Sequence, residues 1–102
     1  MRQVDINTGY ALKELCEGRI SSNTTIIRIG CDYVVFLFNN PIARYNGERL
    51  KIDTCGKLAM STINRLNGIL TVIARGYIKR KSGKLFLAGK EWDGREKTIN
   101  LL

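Results

Sequence analysis

From Tyr33 to Phe38 every side chain is apolar. Side chains alternate faces along a strand, so Tyr33, Val35 and Leu37 point one way and Val34, Phe36 and Phe38 the other. A short run that is apolar on both sides, and rich in β-branched and aromatic residues, predicts a central strand buried between two layers. The next residues organise the chain around it. Asn39-Asn40-Pro41 breaks the strand, because Asn tolerates turn geometry and Pro lacks an amide donor. Residues 42–45 resume an extended pattern. Asn46-Gly47 then predicts a hairpin through a type I′ turn. Residues 49–53 (RLKID) alternate polar and apolar, the pattern of a strand with one buried face.

A helix follows. Ile63, Leu66, Ile69, Leu70 and Ile73 recur at helical spacing and define one apolar stripe over residues 62–74. Ser61 or Thr62 is the expected N-cap, and Gly76 the expected stop. Arg65, Asn67, Gly68 and Thr71 fall off the stripe. Gly68 costs a helix interior about 1 kcal/mol against Ala, which points to close packing on the sheet. Upstream, Asn7 or Thr8 is placed to cap a first helix over about residues 8–17, with Tyr10, Ala11, Leu12, Leu15 and Cys16 as its apolar face and Gly18 as its end. Residues 21–23 read as a loop and residues 24–29 as a strand, with Thr25, Ile27 and Ile29 on one face. After the second helix, residues 77–81 and 84–88 read as two strands around Ser82-Gly83. Residues 89–94 are turn-rich, and residues 98–102 add a last extended segment.

These elements predict a single α+β domain over residues 1–102: an antiparallel sheet of about four to six strands against one main helix, with the N-terminal helix at an end or on a second face. No apolar run approaches the roughly 18 residues of a membrane span. MRQVDINTGY lacks the apolar core of a secretory signal, which predicts a cytoplasmic protein. Cys16, Cys31 and Cys55 are widely spaced, and the chain has no histidine. That pattern predicts reduced cysteines used as small apolar residues, with no metal site and no cofactor.

The formal charge of +8 is unevenly spread. Residues 58–90 carry Arg65, Arg75, Lys79, Arg80, Lys81, Lys84 and Lys90 and no acid. A cluster of cations without acids repels itself, and a polyanion relieves the repulsion. Tyr77 and Phe86 lie among these residues, and aromatics among cations stack on unpaired bases. The candidate binding residues are therefore Arg75, Tyr77, Lys79, Arg80, Lys81 and Lys84, with Trp92 as a candidate anchor for a protein partner. Catalysis is not expected. The commonest general base is absent, Cys55 has no histidine partner, and Glu48 and Asp53 fall on opposite faces by parity. The run Gly76–Leu85 has the wrong glycine spacing for a phosphate-binding loop.

Asn40-Pro41-Ile42-Ala43, Tyr45-x-Gly47, Leu50-x-Ile52 and Cys55-Gly56, followed by Ser61-Thr62-x-x-Arg65-Leu66-Asn67-x-x-Leu70, resemble a class of small bacteriophage proteins. The likeness covers roughly residues 33–94 and is strongest over residues 61–70. It departs at Lys57-Leu58-Ala59-Met60, where that class has an aromatic and a threonine. The resemblance implies a phage or prophage origin and an accessory protein acting by binding, in the host cytoplasm. It implies an antagonist of a host nucleic-acid-targeting defence system, similar to anti-CRISPR proteins, whose partner is a host protein, a nucleoprotein complex or nucleic acid. The alternatives are a DNA- or RNA-binding protein of phage replication or regulation, and a small-ligand or nucleotide sponge. No catalytic residue carries over.

Overall fold

In the computed structural model, which describes residues 2–101, the fold is α+β. The elements in chain order are α1 (Gln3–Lys13), β1 (Gly18–Ser21), β2 (Thr24–Ile29), β3 (Asp32–Leu37), β4 (Asn40–Tyr45), β5 (Arg49–Ile52), α2 (Met60–Ile73), β6 (Ile78–Lys81), β7 (Lys84–Leu87), β8 (Lys90–Trp92) and β9 (Lys97–Asn100). Six strands form an antiparallel sheet in the order β1-β2-β3-β4-β5-β9, and β6-β7-β8 form a second, three-stranded sheet. The C-terminal segment therefore returns to close the larger sheet beside β5.

One face of the larger sheet carries Ile26, Val35, Leu37, Ala43, Tyr45, Leu50 and Ile52, all buried. It packs in one cluster with Ile63, Leu66, Ile69 and Leu70 of α2 and with Ile78 and Leu85 of the smaller sheet. A register irregularity between Val35 and Phe36 lets two consecutive residues of β4, Ile42 and Ala43, both join this core.

The opposite face of the larger sheet is only partly buried: Val34 is 1% exposed there, so the two-sided burial expected for β3 holds at Val34 and Val35 and gives way on either side of them. Phe36 is half-buried, and Ile27 and Ile29 are 43% and 45% exposed. Thr25, Ile27 and Ile29 thus share a face as expected, but it is the outer one; Thr24 and Ile26 face the core.

Turns account for other differences. The break after β3 is the pair Phe38-Asn39, both at positive φ (48° and 66°), which joins β3 to β4 as a type I′ hairpin and leaves Pro41 inside β4. At Asn46-Gly47 only Gly47 has positive φ, so the expected type I′ turn is not formed. The Asn46 carboxamide oxygen instead accepts from the backbone N–H groups of Glu48 and Arg49, both at 2.9 Å, and holds a three-residue loop.

The first helix begins five residues before the expected position and ends earlier. Its N-terminus is organised by Asp5, which accepts from the Arg2 backbone N–H at 2.8 Å. Its buried face is Asp5, Thr8, Gly9 and Leu12, a helical spacing made of polar and small residues. Tyr10 and Leu15, expected on the apolar face, are exposed. Gly18 opens β1 rather than ending the helix. Helix α2 starts at Met60, before Ser61 and Thr62, with Ala59 at the N-cap and no side-chain cap bond. At its other end the left-handed residue is Arg75 (φ 54°), one position before Gly76.

Three residues off the apolar stripe of α2 do the joining. A Cβ on Gly68 would stand 2.0 Å from the Asp5 carbonyl oxygen, and one on Gly9 2.5 Å from that of Gly68. Gly68 therefore serves contact with α1, not with the sheet. Arg65, counted by sequence among the surface cations, is 1% exposed. Its Nε donates to Asp5 at 2.8 Å, and its Nη1 donates to the Thr24 hydroxyl and to Asn23. Asn67 is also buried; it donates to the Ile78 carbonyl at 3.0 Å and accepts from the Ile78 N–H at 2.6 Å. Its carboxamide fills both backbone bonds that a neighbouring strand would make, and it ties the smaller sheet to α2.

Candidate nucleic-acid interface

The smaller sheet is a three-stranded meander with two tight turns. Ser82-Gly83 (φ 52° and 76°) and Ala88-Gly89 (φ 51° and 83°) both have positive φ at the two central positions, the type I′ geometry that follows strand twist. The register pairs Lys79 with Phe86, Arg80 with Leu85, Lys81 with Lys84, Leu85 with Trp92 and Phe86 with Glu91. Directly opposed residues share a face. One face therefore carries Ile78, Arg80, Leu85, Leu87, Lys90 and Trp92. The other carries Lys79, Lys81, Lys84, Phe86 and Glu91, and Tyr77 by continuation.

Ile78 and Leu85 are buried, so the first face is the inner one. On the outer face Tyr77 is 50% exposed and Phe86 half-buried, while Lys79, Lys81 and Lys84 are exposed. Glu91 is the one acid in this set, and it pairs with Lys84 at 3.4 Å with both side chains well exposed. Such a pair is weak and yields readily to a stronger anion. The result is an aromatic centre bordered by cations on a sheet face whose described residues are exposed, apart from the half-buried Phe86.

Four of the seven predicted site residues meet there: Tyr77, Lys79, Lys81 and Lys84. The other three do not. Arg80 projects from the inner face and donates to the Leu58 carbonyl at 3.0 Å. Arg75 sits at the end of α2 and lines a cleft beside Lys90 and Lys97. Trp92 is half-buried against the core, with its Nε1 donating to the Arg95 carbonyl at 2.9 Å. Phe86 belongs to the face and was left out of the predicted set. Its signal was strand parity: it lies directly opposite Lys79 across a two-residue turn.

A second cationic strip, Arg44, Arg49 and Lys51, lies on the outer face of the larger sheet. It is partly neutralised, because Arg44 pairs with Asp32 at 3.1 Å and Lys51 with Glu96 at 3.3 Å.

The thiols differ from expectation. Cys16 and Cys31 are exposed, not apolar filling. Cys55 has φ 56° and its Sγ is 3.3 Å from the Pro41 carbonyl oxygen. Burial, and then the Asp53 carboxylate, push its thiol pKa up. Its thiol is therefore held protonated at neutral pH, the reverse of an activated nucleophile. Among the described residues no group of three or more His, Cys, Asp and Glu side chains is arranged to hold a metal ion, and no helix is long and apolar enough to cross a membrane.

A family model described as Kyanoviridae Gp96 protein matches residues 1–99. No curated protein and no solved structure matches the chain.

Proposed function

Because the chain belongs to the Kyanoviridae Gp96 protein family, and is thus a phage protein, we propose that it acts in the host cytoplasm by binding single-stranded nucleic acid on the outer face of its smaller sheet. The observation that carries this reading is the convergence of Tyr77 and Phe86 with Lys79, Lys81 and Lys84 on one exposed face. Aromatic side chains on an open sheet give unpaired bases a stacking platform, and flanking lysines follow the phosphates. The faces of paired bases are stacked within a duplex and cannot reach such a platform, so duplex DNA is the poorer substrate.

The test is binding of labelled single- and double-stranded oligonucleotides. Three phosphate contacts on a single strand predict a loss of roughly twentyfold in affinity between about 50 and 200 mM salt. Changing Lys79, Lys81 and Lys84 to Ala should flatten that slope. Tyr77→Ala and Phe86→Ala should weaken binding by about 1–3 kcal/mol per stacked base and leave the slope unchanged. Arg80→Ala should have little effect on binding. Absence of binding at the lower salt would end this reading.

A second reading is favoured by the other open face. Ile27, Ile29 and Phe36 present apolar surface beside Arg44, Arg49 and Lys51, a combination suited to a protein partner. An antagonist of a host nucleic-acid-targeting defence system would use such a face, with the smaller sheet competing for a nucleic-acid groove. That protein would bind one host complex at defined stoichiometry, and changes at Ile27 and Ile29 would abolish binding while changes at Tyr77 alone would not.

A further inference from the structure

Between the inner face of the smaller sheet, the end of α2 and strand β9 lies a cleft of about 370 Å³, within the size range of small-molecule sites. Leu70, Leu87, Trp92 and Ile99 form its apolar wall. Arg75, Lys90 and Lys97 stand at the same cleft, and none of them makes an ion pair among the described residues. Two of these cations occupy positions that the sheets reserve for apolar residues. Lys90 is paired with Leu87 and Lys97 with Ile52, so both share the inner faces. Glu91 also borders the cleft, but it shares the outer face of its sheet with Phe86 and pairs there with Lys84.

We propose that this cleft binds a small apolar carboxylate: an aliphatic or aromatic body against Trp92 and the aliphatic wall, with its carboxylate between Lys90, Lys97 and Arg75. The chemistry of the lining selects this class. Apart from Glu91, no side chain there can accept a hydrogen bond, and none carries an amide or hydroxyl. The rim thus offers donors to an anion but, with Glu91 engaged by Lys84 on the outer face, no free side-chain acceptor for the N–H and O–H groups of a base and a ribose, which disfavours a nucleotide. The C-terminal end of α2, the negative end of the helix dipole, borders the same space at Ala74 and opposes a dianion more than a monoanion. The proposal is independent of the nucleic-acid face, which lies on the other side of the same small sheet.

Trp92 is the chain's one tryptophan, so its fluorescence reports on the cleft directly. The experiment titrates the whole protein with decanoate, decanol and adenosine monophosphate, and follows Trp92 emission and the melting temperature. Decanoate is expected to give a saturable emission change and a rise in melting temperature. Decanol, with the same body and no charge, should bind about tenfold more weakly, and the nucleotide more weakly still. Changing Lys90 and Lys97 together to Gln should weaken decanoate by a similar factor, while the same change at Lys79 and Lys81 should not. Exposed lysines at inner-face register positions of the edge strands β8 and β9 would also arise if their role were only to block edge pairing. In that case decanoate would leave Trp92 and the melting temperature unchanged. That result, equal binding of decanol and decanoate, or tighter binding of the nucleotide would each overturn the proposal, and none needs a variant to fold.

Discussion

The buried ion pair between Arg65 and Asp5 is the most consequential side-chain contact in the molecule. Both side chains are almost fully excluded from water, at 1% and 0% exposure. The hydrogen-bonding partners come from three separate parts of the fold: Asp5 on α1, Arg65 on α2, and Thr24 at the start of β2 with Asn23 in the turn before it. A buried charge is tolerable only when it is paired and hydrogen-bonded. Removing one partner strands the other. Asp5→Ala and Arg65→Ala are each expected to cost about 3–5 kcal/mol in urea-unfolding experiments. Replacing the two together by apolar residues of similar volume should cost less than either alone. A double variant as unstable as the sum of the singles would show that the pair is not the coupled unit described here.

Between elements, the packing of α1 on α2 depends on two glycines that face each other. Backbone and side-chain atoms of the opposite helix occupy the space where either Cβ would stand. In an isolated helix Gly68→Ala should help, because Ala is the better helix former by about 1 kcal/mol. In this protein the helices must move apart to admit the methyl group, and neighbouring contacts in the Arg65 network stretch with them. Gly68→Ala is therefore expected to destabilise by roughly 1–3 kcal/mol, read as a lower midpoint in chemical unfolding. Gly76→Ala is the comparison, since a Cβ there meets only Leu70, at ordinary contact distance; it should change the midpoint little. Asn67 is the corresponding joint to the smaller sheet. By holding both backbone groups of Ile78, it sets which face of that sheet turns inward, and so which residues form each surface.

At the scale of the molecule, charge opposes folding. The formal charge is +8, and four of the nine acids are already engaged, Asp32, Glu91 and Glu96 in weak exposed pairs and Asp5 in the buried site. Self-repulsion among the remaining cations lowers the stability of the folded chain. Screening should relieve it. The melting temperature is expected to rise as sodium chloride goes from about 10 mM, where the screening length is about 30 Å, to about 100 mM, where it is about 10 Å. A fall over that interval would mean that the exposed ion pairs outweigh the repulsion.

Much of the fold could be read from the chain because strands and helices write their periods into sequence when one side is apolar. The antiparallel run β2 to β5, the apolar stripe of α2 and the hairpin at Ser82-Gly83 were all visible in that way. So was the cationic character of residues 75–84, and parity alone would have sorted Arg80 from Lys79 and Lys81. The buried face of α1 was not legible, because Asp5, Thr8 and Gly9 carry no hydrophobic signal; their burial follows from Arg65 and Gly68 on another helix. The same cause hid the interior place of Arg65, since a guanidinium looks like surface until the acid that neutralises it, sixty residues away in sequence, is brought beside it. The cleft at Trp92 was equally invisible, because its lysines meet only where two separate sheets and a helix end converge. Local periodicity thus determined the elements, and long-range pairing of polar groups decided how they face one another and which cations remain at the surface.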